Sequence, residues 1–170
     1  MSISCRRYWI RLCFLPAFAL QACSEPAFVF RDYSSRSDCQ HVIDTELNGG
    51  ATFDAAYDLR ADDRVKIELS GTIFSKPVLI DVICARNGFV ASIHYVKPDS
   101  DIAASSQVFE HFSEQLETVY GPPRELGSSE GRSRTYLCGD PATVMLSQYK
   151  LTETDYEVSL LIVPHRTDCQ

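Results

Sequence analysis

The sequence predicts an α+β domain: an antiparallel sheet of about six or seven strands, laid out as hairpins, packed on one amphipathic helix and stapled by two disulfides. Three observations carry this reading. Apolar and polar residues alternate with period two over most of the chain beyond residue 52, one segment alone shows a clear helical period, and turn residues punctuate the runs at short intervals. About four strands precede the helix and three follow it, which is the order of a sheet wrapped on a helix rather than of alternating parallel units.

The first strand is Thr52 to Leu59, where Phe53, Ala55, Tyr57 and Leu59 alternate with Thr52, Asp54, Ala56 and Asp58. Phe53, Ala56 and Tyr57 would also suit one helical turn. A turn through Ala61-Asp62-Asp63 leads to Val65, Ile67 and Leu69, which alternate with Lys66, Glu68 and Ser70. Val78 to Cys84 and Phe89 to Val96 flank Arg86-Asn87-Gly88, and Asn-Gly supplies the positive backbone dihedrals of a tight hairpin turn. Both strands of this hairpin are apolar on nearly both faces, which places them centrally and under a cover, expected to be the helix. That helix is Ala103 to Tyr120, with Val108, Phe109, Phe112, Leu116, Val119 and Tyr120 on one stripe, and Gly121-Pro122-Pro123 ends it. Pro123 to Arg132 is expected as a mobile polar loop. Ser133 to Cys138, Thr143 to Lys150 and Asp155 to Val163 complete the strands, and no internal repeat is visible beyond the hairpin rhythm.

At 170 residues, 45% hydrophobic and 23% charged, the chain has the composition of one folded domain, and its 8 Gly and 8 Pro exclude a low-complexity or collagenous chain. Sixteen basic against 23 acidic side chains give a net charge of -7, so the basic footprint of a nucleic-acid binder is missing.

The first residues carry an address. Arg6, Arg7 and Arg11 precede the short apolar run Leu12 to Leu20, which is interrupted by Pro16 and is too short to span a bilayer. The run ends in Leu20-Gln21-Ala22-Cys23, which resembles the lipobox of bacterial lipoproteins, although Gln21 is an unusual occupant of its position. The resemblance covers residues 1 to 23. It implies a signal peptide over residues 1–22, lipidation of Cys23, a tether over residues 23–37 and a single periplasmic domain over residues 38–170. Ser24 after the cysteine implies, in a double-membraned bacterium, an outer-membrane anchor facing the periplasm. The rival reading is cleavage after Ala17-Phe18-Ala19 and secretion to the periplasm, with Cys23 left as a thiol. Loss of residues 1–22 removes three basic side chains and no acidic ones, leaving 13 basic against 23 acidic and a net charge of -10.

Cysteine parity bears on the choice. Cys5 and Cys13 leave with the leader, and lipidation of Cys23 leaves Cys39, Cys84, Cys138 and Cys169, an even set for two disulfides. Of the three possible connectivities, strand placement favours Cys84 with Cys138 and Cys39 with Cys169. Cys39-x-His41 and His165-x-x-x-Cys169 have zinc-like ligand types, but structural zinc needs closer clusters and reduced thiols, so no metal and no cofactor is expected.

No nucleophile, metal or phosphate-binding motif is present. His94 is expected to be a hydrogen-bonded strand residue and His111 a solvated one on the helix. Asp54, Asp58, Asp62, Asp63 and Glu68 gather acid around the first hairpin, but not at the spacing of a calcium loop, and read best as a solvated acidic rim. Phe109-x-x-Phe112-x-x-x-Leu116-x-x-x-Tyr120-Gly121-Pro122 followed by hairpins is similar to many small bacterial envelope proteins of unknown function. Three functional classes follow. The first is a non-enzymatic binder, an inhibitor or immunity-type protein docking on a basic envelope hydrolase, using a loop such as Gly49-Gly50 or Gly127 to Arg134. The second is an accessory of outer-membrane assembly or maintenance, working through a sheet edge or a helix face. The third is an enzyme whose site is built from scattered residues.

Overall fold

The computed structural model describes residues 31, 33, 38–59, 62–128, 131–137 and 142–164. In chain order the elements are α1 (Cys39–Asn48), β1 (Thr52–Leu59), β2 (Arg64–Ile73), β3 (Lys76–Ala85), β4 (Val90–Asp99), α2 (Ile102–Tyr120), β5 (Arg124–Ser128), β6 (Gly131–Leu137), β7 (Ala142–Lys150) and β8 (Tyr156–Pro164). All eight strands form one antiparallel sheet in the order β1-β2-β3-β4-β8-β7-β6-β5. The α+β class is as expected, with one strand and one helix more than the sequence disclosed.

The additions expose a repeat that sequence comparison within the chain misses. A helix followed by a four-strand meander occurs twice, so the sheet order reads the same from either edge, and β4 and β8, the last strand of each meander, pair at the centre. The segment expected as a loop after Pro123 is instead β5 and the start of β6, paired from Arg124↔Thr135 to Ser128↔Gly131.

Alternation builds the core. Ile80, Tyr95, Leu160 and Leu146 stand opposite one another across β3, β4, β8 and β7, and Val82, Ile93, Ile162 and Val144 form the next row; all are at most 1% exposed. Both rows face the helices. Asp101 caps α2 by accepting the Ala103 N–H at 3.0 Å, and Gly121 at φ 80° ends it. The helix buries Val108, Phe109, Phe112 and Leu116, but Val119, counted in the stripe from sequence, is 61% exposed. It packs on β4, β8, β7 and β6, so the expected cover of β3 is supplied by α1 instead.

Helix α1 is capped by Asp38, whose carboxylate accepts the His41 N–H at 2.7 Å. Its first residue donates its N–H to the Gly88 carbonyl at 2.8 Å, and Asp38 bridges Phe89, which lays the helix start against the β3–β4 turn. Cys84 closes β3 beside that turn on the helix side. Cys39 and Cys84 therefore meet, with Cα atoms 5.8 Å apart, and form a disulfide. This corrects the expected connectivity: Cys84 bonds to Cys39 and not to Cys138, because the helix at residue 39 brings that thiol to the end of β3. Cys138 and Cys169 lie outside the described residues, as does Cys23. No helix among the described residues is long and apolar enough to cross a membrane.

Candidate functional site

Both described helices lie on one face of the sheet, and among the described residues no helix lies on the other. Strand periodicity puts Lys66 and Glu68 of β2, Asp81 of β3, His94 of β4 and Glu157 of β8 on that open face, and the register draws them together: Glu68 pairs with Asp81, and Asp81 with His94. With Asp54 they line a shallow depression of about 350 Å³. The Lys66 ammonium bridges Glu68 at 2.7 Å and Asp81 at 2.9 Å. Asp54 accepts a hydrogen bond from Ser70 Oγ at 2.5 Å.

Four carboxylates thus line a depression that holds one ammonium, that of Lys66. The hydrogen bond to Glu68 raises Lys66, and the same bond holds Glu68 below the usual carboxylate range. Burial, then the neighbouring Asp81, pushes Glu157 up. Burial lowers His94, with Asp81 opposing and Lys66 assisting, so the imidazole is neutral at pH 7, and its Nε2 lies 3.2 Å from Ser92 Oγ. Its role as a hydrogen-bonded strand residue is as expected; further back along β4 a bulge turns Val90 to the helix side, opposite Cys84. Leu79, at 49% exposure, borders the depression, and Tyr57 stands nearby at 47%. The arrangement is suited to holding a cationic side chain beside an apolar anchor.

Two further clusters lie on the helix face. Glu46, 2% exposed at the end of α1, accepts hydrogen bonds from the Tyr33 and Tyr95 hydroxyls and pairs with Arg31 at 2.5 Å, and Arg31 also donates to the Thr72 carbonyl at 2.7 Å. Burial, reinforced by the Glu46 charge, raises both tyrosines well above their ordinary value. Arg31 and Tyr33 fall in the stretch read as a tether, yet Tyr33 is 2% exposed and belongs to the core. On α2, Glu110 takes Arg132 and Arg134 at 2.6 Å each, and both guanidiniums lie over the Phe109 ring, at 4.1 and 5.1 Å from its centre. These groups are satisfied by one another and bind the helices to the sheet.

The remaining sequence candidates divide. Asp58 and Asp63 flank Arg86, at 4.0 and 2.6 Å, so the acidic rim of the first hairpin is split between that ion pair and the depression. His111 is half-buried rather than fully solvated, and its Nε2 lies 2.9 Å from the Phe74 carbonyl. Cys39 is in a disulfide, which removes the zinc-like pairing with His41, and His165 lies outside the described residues. Among the described residues no three His, Cys, Asp or Glu side chains are grouped to hold a metal ion. Gly49-Gly50 forms the turn between α1 and β1, and Gly127 to Arg134 falls largely within the β5–β6 hairpin. Asp81 and Glu157 were missed in the sequence because only the strand register unites them with Lys66 and Glu68.

Fold and face together define a two-layer α+β protein with an acid-lined open sheet. No protein-family model, curated protein or solved structure matches the chain.

Proposed function

We propose that this is a lipid-anchored protein of a bacterial envelope that acts without catalysis, by protein contact, as an inhibitor or immunity-type binder of a basic periplasmic hydrolase. The open sheet face carries the reading: Leu79 and Tyr57 stand exposed beside Asp54, Glu68, Asp81 and Glu157, offset by Lys66 alone. Apolar anchors ringed by charge of one sign favour a partner of the opposite sign, and the excess of acid over the whole chain steers such a partner inward. The Cys39–Cys84 disulfide supports an oxidising compartment, in keeping with the lipobox-like leader. A second reading, an accessory of outer-membrane assembly, is favoured by β1, an edge strand with no buried residue that leaves one side of its backbone for a partner strand.

A photo-cross-linking side chain at Leu79, activated in intact envelopes, tests the proposal. The inhibitor reading requires an adduct to one basic hydrolase that disappears in Asp81→Lys with Glu157→Lys, and inhibition of that hydrolase by the purified domain. An adduct to an integral membrane assembly would transfer the protein to the accessory class. Absence of any light-dependent adduct would overturn both.

A further inference from the structure

We infer that the end of the sheet carrying the β2–β3 turn faces the lipid bilayer, and that Phe53, Ile102 and Leu151 are the side chains that meet it. This rests on the lipid-anchor reading of Cys23.

The argument begins with where the chain joins the fold. Arg31 bonds Glu46, in the last turn of α1, and the carbonyl of Thr72, one residue from the end of β2; Tyr33 is buried on the same carboxylate. The chain therefore enters at the end of the sheet formed by the β2–β3 turn. Arg31 lies eight positions beyond Cys23, a span of at most about 28 Å when fully extended. Strands β2, β3 and β4 have ten residues each, or about 33 Å from one end of the sheet to the other. A lipid on Cys23 thus holds the entry end near the membrane and cannot reach round to set the opposite end, with Arg86 and Phe89, against it.

The entry end is built for such contact. The two-residue turn Phe74-Ser75 has φ of 47° and 63°, a conformation L-residues seldom adopt, and α2 secures it: His111 bonds the Phe74 carbonyl, and the Phe74 ring packs edge-on against Phe112 at 5.4 Å. Around this fixed turn Phe53 at the start of β1, Ile102 at the start of α2 and Leu151 at the end of β7 are each 57% exposed. Leu47, at 38%, stands in the last turn of α1 at the same end. Side chains of this kind enter the headgroup boundary of a bilayer when a covalent lipid holds them there. Standing on this end, the domain directs its strands away from the membrane and keeps the acidic sheet face open sideways to a soluble partner.

The chain contains one tryptophan, Trp9, within the leader, so a tryptophan introduced into the processed protein is a lone reporter. Phe53→Trp, Leu151→Trp, Leu79→Trp and Phe89→Trp are purified singly from membranes as the full processed chain. Each is reconstituted into phosphatidylcholine vesicles, with and without brominated acyl chains. Quenching at positions 53 and 151, and none at 79 or 89, is the expected result. Quenching at Phe89→Trp would place the opposite end on the membrane; quenching at Leu79→Trp would lay the open face flat on it; absence of quenching at all four would hold the domain clear of it, and each overturns the inference. Intact mass distinguishes failure of the underlying reading: a chain without acyl groups on Cys23 removes the anchor, and the orientation falls with it.

Discussion

The two halves of the sheet have the same order of elements and different means of holding their helices. In the first half α1 has ten residues and buries only Cys39, Val42 and Glu46. It is held by a covalent bond at its first residue and by a buried carboxylate, with its two tyrosines and an arginine, at its end. In the second half α2 has nineteen residues and buries Val108, Phe109, Phe112 and Leu116, with Ser105 and Ser113 bonded to Gln148 and Tyr136 of the sheet. A buried apolar side chain contributes about 1.5–3 kcal/mol, so buried area is the larger part of what secures the longer helix and the smaller part of what secures the shorter one. Equal topology leaves the energetic solution free; helix length decides which is used.

The comparison is most strongly tested by Phe112→Ala. The ring is fully buried, and its loss should cost about 4 kcal/mol and lower the urea midpoint of the entire domain. Replacing Cys39 and Cys84 by serine should cost about 3–4 kcal/mol for a closed loop of 45 residues. Its signature is local as well: amide exchange should rise across α1 while α2 stays protected, and equal loss in both helices would show that α1 is no separate unit. Glu46→Gln should cost about 2–3 kcal/mol, because Arg31 loses its charge partner in a half-buried site.

Glu46→Gln also has a pH signature. Tyr33 and Tyr95 titrate above their ordinary value of 10 in the fold, so the folded state keeps their protons longer, and stability present below pH 10 is lost as pH rises beyond it. Burial is the largest cause, so the loss should persist in Glu46→Gln with a shallower slope. His94 is opposite in sign and smallest in effect. Its folded value lies below 6.5, so stability present above pH 6.5 should decline as pH falls through that value, and His94→Gln should flatten the decline in urea titrations between pH 7 and 5. A disulfide map sharpens the contrast further. If Cys5 and Cys13 leave with a leader and Cys23 carries lipid, as proposed, Cys138 and Cys169 remain beside the Cys39–Cys84 pair; they follow β6 and β8 on either side of β7, and non-reducing peptide mapping should recover them as a linked pair.

What could be read from the sequence followed the same division. Helix α2 and the central strands were legible because their buried positions are apolar at the right period. In α1 the stripe of Val42 and Ile43 is broken at Glu46, a charged residue in a buried position, so the helical signal is lost, although Asp38 as a cap and Gly49-Gly50 as a stop were there to be read. Strand β5 and the start of β6 were missed because the first β6 residues over α2 are Arg132 and Arg134, whose long side chains cover Phe109 and replace the expected apolar alternation. The disulfide followed α1 into error. The depression was half legible: Lys66 and Glu68 share a face by spacing, while Asp81 and Glu157 join them only through pairings made across the sheet.

The central pairing of β4 with β8 bears on how the chain reaches this structure. Within each meander, strands meet neighbours that follow directly in the sequence and close quickly through short turns. The seam joins Ile93 to Ile162 and Tyr95 to Leu160, across a helix and three strands of intervening chain. Closing that separation costs more loop entropy than any turn within a meander, so the seam is expected to form after the meanders, and each half taken alone would leave one long strand edge, β4 or β8, without its partner.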